Sequence, residues 1–141
     1  MKAFLDTSVL VAATRETDRR HAVSLELLKQ LKPEQAFCAA YSLAELYATL
    51  TGMRPPNRFR PEQAVLVLNE FKARLQCVPL TADEVLQTVH RTAALKLAGG
   101  FIYDTLLLAC ARKVYADRIY TWNETHFRLV APDLADRIVT P

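Results

Sequence analysis

The sequence predicts an α/β domain with a mainly parallel sheet, and two observations carry that prediction. Short apolar runs alternate along the chain with longer stretches whose apolar residues recur at helical spacing. Each short run leads into a helix-like stretch rather than a tight turn and a returning strand, which is the order that parallel crossovers require. The 141 residues suit one domain covering 1–141, and no internal repeat, low-complexity tract or linker divides them. The pattern leaves strand order open.

The elements follow in order. "KAFLD" (2–6) reads as a short buried strand and "TSVLVAATR" (7–15) as a short helix opened by Thr7 or Ser8. In "DRRHAVSLELLKQLKP" (18–33), Ala22, Val23, Leu27, Leu28 and Leu31 keep helical spacing, Asp18 is an N-cap candidate and Pro33 a stop. "AFCAA" (36–40) is a second strand. "YSLAELYATLTGM" (41–53) is a helix with Ser42 and Glu45 in capping-box spacing and Gly52 near its end. "RPPNRFRP" (54–61) is a basic, proline-rich connection, and Pro61 suits the first turn of "PEQAVLVLNEFKARL" (61–75). "CVPL" (77–80) gives a third strand. Thr81 and Glu84 form another capping box before a helix over 82–98, which Gly99-Gly100 ends. "IYDTLLLACARKVYA" (102–116) is a helix with Asp104 in its first turn, and "DRIYTW" (117–122) a fourth strand. The polar segment "NETHF" (123–127) follows, and the tail "DLADRIVTP" adds one short helix or strand.

Composition narrows the function classes. An apolar fraction of 51% and a charged fraction of 23% are ordinary for a globular protein, and a net charge of +3 permits an acidic partner such as nucleic acid without demanding one. Cys38, Cys77 and Cys110 are odd in number and form no C-x-x-C pair. Buried free thiols are expected, not a disulfide framework or a thiolate zinc site. Lys2 and the apolar run after it imitate a signal peptide. Asp6 interrupts the run, however, and Arg15, Glu16, Asp18, Arg19 and Arg20 follow without a small-residue cleavage site. No run reaches the roughly 18 apolar residues of a membrane span. A cytoplasmic protein with no membrane association is expected.

In a parallel sheet, ligands bind beyond the carboxyl ends of the strands. Asp6 ends the first strand, Glu45 lies in the first turn of the helix after the second, Asp104 in the first turn of the helix after Gly99-Gly100, and Asn123-Glu124 follow the fourth strand. The topology therefore brings them to one edge. Two roles compete for Glu45, a capping-box partner of Ser42 or a site carboxylate, and two for Asp104, a helix-dipole anion or a site carboxylate. Asp6 is harder to explain structurally, because a carboxylate at the end of a buried strand must be paired or solvated. Converging carboxylates repel and need a cation to stay ionised together. Oxygen donors without a histidine–cysteine cluster point to Mg²⁺ or Mn²⁺ rather than zinc, and such an ion activates water and stabilises charge on a phosphodiester oxygen.

These residues resemble the PIN domain, particularly the VapC-type toxin ribonucleases. "FLDTSVLVAA" is similar to the family's opening strand with its first aspartate, Asp6. "SLAELYATLT" is similar to the segment carrying the helical glutamate, Glu45, and "GGFIYDTLLLACARKVYADRIYTWNETHF" to the third-acid helix and the threonine-containing strand end. The resemblance implies a single α/β/α sandwich, usually dimeric, acting as a Mg²⁺- or Mn²⁺-dependent endoribonuclease. Asp6, Glu45 and Asp104 would hold the metal, with Asn123 completing the catalytic set. Ser8 or Thr7 would support the site, Thr121 would shape the loop, and Glu124 would substitute as an acid or face solvent. The fourth position is Asn123 where the most acidic form of the pattern has an acid, and a further acid of some relatives is His126 here. Both departures favour one metal ion over two. The resemblance also implies a cognate antitoxin whose C-terminal segment covers the acidic cleft.

RNA would need cations beside the acids. Arg54, Arg58 and Arg60 are the candidates, with Phe59 for base stacking, and Arg15, Arg19, Arg20 and His21 come second. The competing role for this segment is a solvated polar loop. Trp122 suits either a base stack or a packing role, and no histidine is assigned to catalysis. Two other classes share the pattern. A phosphorylated receiver-like module would need an acidic pair after the first strand and a late lysine, which "DRIYTWNE" lacks. A non-catalytic RNA- or partner-binding module, or an RNA-processing nuclease that is not a toxin, would keep the same acids.

Overall fold

Side chains alternate between the two faces of a strand, and the short central strands use both faces to bury apolar residues. In a computed structural model describing residues 1–141, β1 (Ala3–Leu5), β2 (Ala36–Ala39), β3 (Gln76–Val78), β4 (Arg118–Tyr120) and β5 (Ile138–Val139) form one sheet. Its order is β3-β2-β1-β4-β5, and every pair is parallel. Phe4, Phe37, Ala39, Val78 and Ile119 enter one core, while Leu5, Ala36 and Cys38 enter the other. β1 and β2 are buried at every position, which is why they read as continuous apolar runs.

Helices cover both faces. α1 (Thr7–Thr14), α2 (His21–Gln30), α3 (Ala40–Gly52) and α4 (Pro61–Arg74) close the core holding Leu5. α6 (Phe101–Lys113) and α7 (Glu124–Val130) close the core holding Phe4, and α5 (Ala82–Ala94) packs against α6. The result is the α/β/α sandwich that the sequence predicts. No helix is long and apolar enough to cross a membrane.

Several local expectations are corrected. α2 begins at His21, and Asp18 does not cap it; its Oδ1 accepts the Arg20 amide at 2.8 Å in the preceding turn. α3 starts directly out of β2, two residues before Ser42, so Ser42 and Glu45 lie within the helix and form no capping box. The Thr81–Glu84 box is present, with bonds of 3.1 and 2.9 Å. α5 stops at Ala94, ahead of Gly99-Gly100, because Lys96 turns left-handed (φ 58°). The Lys96 amide then reaches the Ala93 carbonyl at 2.9 Å and the Leu97 amide the Thr92 carbonyl at 3.2 Å, satisfying groups the ending helix would orphan. "NETHF" is no mere polar connection: from Glu124 it is helical, with Phe127 and Val130 buried. The tail supplies a 3₁₀ turn (Pro132–Arg137) and also the edge strand β5. Cys38 and Cys110 are buried as expected, whereas Cys77 is only partly so.

Candidate active site

The sheet grows from β1 through β2 to β3 on one side, and β4 and β5 lie on the other, so strand order reverses between β1 and β4. A crevice opens at such a reversal, beyond the carboxyl ends of the strands. Asp6 leaves β1 there, its amide donating to the Tyr120 carbonyl at 2.9 Å and carrying the ladder past the strand. It is the N-cap residue of α1, yet its side chain makes no capping bond. Asp6 Oδ2 instead accepts from Ser8 Oγ at 2.7 Å and from Thr121 Oγ1 at 2.8 Å. Both hydroxyls are themselves fixed. Ser8 Oγ accepts the Trp122 amide at 3.0 Å, and Thr121 Oγ1 accepts the Asn123 amide at 3.0 Å. Only 3% of Asp6 is exposed, and burial pushes its carboxyl above the ordinary 3.8, against the pull of the Ser8 and Thr121 hydroxyls.

Glu45 projects from α3 toward the start of α1. Thr7 Oγ1 lies 2.9 Å from Glu45 Oε1 and 2.9 Å from the buried Ser42 Oγ, so Ser42 braces the threonine that holds the glutamate. Partial burial raises the Glu45 carboxyl; the Thr7 bond lowers it, and the charges of Asp6 and Asp104 raise it further. Asp104 lies in the first turn of α6. Burial raises its carboxyl too, opposed by His126 and reinforced by Asp6. Glu45 therefore senses both aspartates, and Asp104 senses Asp6. They do not stand as a ready three-ligand cage. Their chemistry still fits a hard divalent ion: the donors are all oxygen, and each gains from a cation that relieves the repulsion.

His126 is a neighbour that the sequence reading left out of the chemistry. Its Nε2 lies 2.9 Å from Asp104 Oδ2, close in distance but off the line of a hydrogen bond. The Phe101 ring stacks on the imidazole at 5.0 Å and 19°. The available signal was that His126 stands where some PIN relatives carry an acid.

Other candidates are placed less centrally. Asn123 is exposed at the start of α7 and makes no side-chain cap bond, and Glu124 opens that helix half-buried. Neither side chain joins the hydrogen-bonded set around Asp6. Arg54 is exposed, Arg58 Nε donates to the Met53 carbonyl at 2.8 Å, and Arg60 pairs with Glu62 at 3.2 Å. The two aromatics considered for stacking are already engaged. Phe59 packs against the α1–α4 core, and Trp122 donates from Nε1 to Ser24 Oγ at 2.9 Å beneath the Arg20 guanidinium, 5.3 Å from its ring centroid.

With this geometry in place, comparison with known proteins identifies the fold family. No curated protein matches the sequence. Among solved structures, Mycobacterium tuberculosis VapC20, a sarcin–ricin loop cleaving toxin, superposes with a TM-score of 0.69 at 19% identity, over 89% of this chain and 92% of that one. VapBC-1 of nontypeable Haemophilus influenzae gives 0.69 at 18% identity, over 99% and 98%. Rickettsia felis VapBC2, solved on a DNA fragment from its promoter, gives 0.61 at 22% identity, over 92% of each chain. At these identities the likeness is one of fold. The PIN domain model itself matches residues 3–131, nearly the whole chain, and the protein belongs to the PIN domain family.

Proposed function

We propose that the chain is a Mg²⁺- or Mn²⁺-dependent endoribonuclease, the toxin of a type II toxin–antitoxin pair. The observation that carries this reading is the set Asp6, Glu45 and Asp104 at the strand-order reversal of a PIN domain, where burial raises all three carboxyls, Asp6 and Asp104 raise Glu45 further, and Asp6 raises Asp104 further. These three would hold the ion. When bound, the ion lowers the pKa of a water and stabilises charge on a phosphodiester oxygen. Ser8 and Thr121 orient Asp6, and Thr7 orients Glu45. Glu45, raised and only half engaged by Thr7, is the carboxylate suited to take a proton from an attacking water. Asn123, exposed at the start of α7, would orient that water through its side-chain amide, with Glu124 next to it in sequence. Arg54, Arg58 and Arg60 meet the RNA backbone, more weakly for Arg60 because Glu62 already pairs with it.

Likeness in fold to a sarcin–ricin loop cleaving toxin supports the biological class. A cognate antitoxin would silence the site by placing a basic side chain among the acids, which supplies the charge that a metal ion otherwise supplies. A homodimer in the cytoplasm completes the reading; Val85, Leu86 and Val89 expose an apolar strip of α5 that suits a second copy. The test is cleavage of single-stranded RNA by purified protein with Mg²⁺ or Mn²⁺. Activity should vanish with chelator and in Asp104→Asn. Cleavage that survives either would overturn the metal-dependent reading, and RNA binding without turnover under any divalent ion would favour a non-catalytic module. A small DNA-binding protein encoded beside the gene separates a toxin from a processing nuclease.

A further inference from the structure

Two aromatic side chains border the acids and have no role in the site described so far. Tyr41 lies one helical turn before Glu45 on α3, so the two share a helix face. Tyr103 immediately precedes Asp104 on α6. Their rings lie parallel, with 6° between planes and 5.8 Å between centroids, bridging the two helices that carry these acids. Tyr41 is near enough to Glu45 for that carboxylate's charge to act on its phenol, after burial as the larger cause. Both rings nevertheless stay exposed, 43% for Tyr41 and 49% for Tyr103.

Helix geometry places this pair relative to the acid. At about 100° per residue, Tyr103 lies about 100° to one side of Asp104, while Phe101 lies about 60° to the other. Phe101 carries the stack on His126. The Asp104 carboxylate thus stands between two parallel aromatic pairs. One of them, Tyr41–Tyr103, combines this parallel stacking with solvent exposure of both residues. The aromatics first considered for stacking, Phe59 and Trp122, are held by the protein itself.

We propose that the Tyr41–Tyr103 pair is a base-stacking subsite for a nucleotide beside the scissile phosphate of single-stranded RNA. The proposal rests on the nuclease reading. Ring faces accept any base, so the pair supplies affinity and positioning rather than a sequence code. Neutral phenols also suit a place next to three carboxylates, because they hold the base without adding charge that the acids repel. Stacking on α3 and α6 together would fix the chain across the crevice those helices border.

The test uses a labelled single-stranded RNA oligonucleotide and the full-length protein. Wild-type cleavage in Mg²⁺ first fixes the cut position, and 2-aminopurine is then placed on either side of it. Binding is read in the Asp104→Asn background, which prevents turnover. At one of the two positions the fluorescence should be quenched by the parent protein and by Tyr41→Phe/Tyr103→Phe. In Tyr41→Leu/Tyr103→Leu the quenching should be lost and Kd should rise about tenfold, the size of one base–aromatic stack. An abasic nucleotide at that position should remove the difference between parent and leucine variant. The proposal is overturned if the leucine variant binds as tightly as the parent, or loses the same affinity on the abasic RNA. It is equally overturned if the variant keeps its RNA affinity and instead dissociates as a dimer in sedimentation, which assigns the pair to a protein interface. A wild type that neither binds nor cuts the oligonucleotide overturns the nuclease reading itself, an outcome distinct from all of these.

Discussion

Asp6 and Asp104 carry the same functional group at the same crevice, but the fold holds them differently. Asp6 ends a central strand, is 3% exposed, and accepts two hydroxyls on one oxygen. Asp104 stands on a flanking helix with 30% of its side chain exposed, against a histidine off the hydrogen-bond line. The parallel pairing of β1 with β4 fixes the first, since Thr121 comes within reach of Asp6 only through that register. Nothing in the sheet fixes the second. A carboxylate built into a strand end is pre-oriented whatever the ligand state. One on a helix shoulder keeps a partner that a ligand can displace.

The comparison breaks most directly at Asp6. Asp6→Asn keeps an oxygen to accept from Ser8 and Thr121 but removes the buried charge. RNA cleavage should fall by more than about 100-fold, beyond the 10- to 100-fold typical of a group that only supports a metal ligand. The metal-free thermal midpoint should hold or rise, because burial of that charge opposes folding. Asp104→Asn should lose as much activity with little change in midpoint. A cleavage assay paired with thermal unfolding decides it, and an active Asp6→Asn would remove Asp6 from the chemistry.

Next in size is the support beneath Asp6. Thr121→Val keeps the shape but leaves Asp6 Oδ2 with Ser8 as its one hydroxyl partner and the Asn123 amide with none. It should lower cleavage by about 10- to 100-fold and destabilise the fold by about 1–3 kcal/mol in denaturant titration. His126→Ala should leave stability nearly unchanged by the same measurement. Equal destabilisation by the two would erase the contrast between strand end and helix shoulder.

How far the sequence revealed this arrangement follows from where each residue gets its partners. β1 and β2 were legible because burial on both faces leaves uninterrupted apolar runs. Asp6 stood out because it breaks one of them. Glu45 and Asp104 were legible by position, on helices that follow strand ends which a parallel sheet gathers to one edge, though Glu45 lies in the second turn of α3 rather than its first. The hydroxyl lattice was not, since Thr121 and Asp6 are 115 residues apart and meet only through strand pairing. The Ser42–Glu45 capping box misled because α3 emerges from β2 without a loop, which converts a cap signal into two interior positions. α7 was hidden by its polar opening, with Phe127 and Val130 its only fully buried residues.

A smaller effect concerns pH. Asp6, Glu45 and Asp104 all have folded carboxyls raised above their ordinary values of 3.8, 4.5 and 3.8. Over the interval between ordinary and raised values, the folded state holds protons that the unfolded state releases. Stability from these groups therefore rises as pH falls through that interval and is lost as pH climbs back through it. Glu84 and Asp133 act in the opposite direction, since Lys113 and Arg112 hold their carboxyls low. Subtracting the Asp6→Asn midpoint from that of wild type, across a pH series in chelator, isolates Asp6 together with its charge effect on Glu45 and Asp104. The difference should shrink toward acid. One that widens would mean that Asp6 is stabilised as an anion without any cation.

The smallest expected effect is the most specific to the helix shoulder. If Asp104 takes part in holding the ion, its contact with His126 competes for Oδ2. Both side chains are partly exposed, and a pair of that kind is worth about 0.2–1 kcal/mol, so His126→Ala should lower the Mg²⁺ concentration for half-maximal cleavage by at most about fivefold. Maximal rate at saturating Mg²⁺ should stay near wild type. In the Asp104→Asn background, which does not cleave, the same substitution should leave Mg²⁺ affinity unchanged in a direct binding titration, because the competition acts through the carboxylate that has been neutralised. A rise in the Mg²⁺ requirement of His126→Ala would reverse the assignment. It would place the imidazole among the groups that help to hold the ion, and the helix shoulder would then be as prepared for its ligand as the strand end.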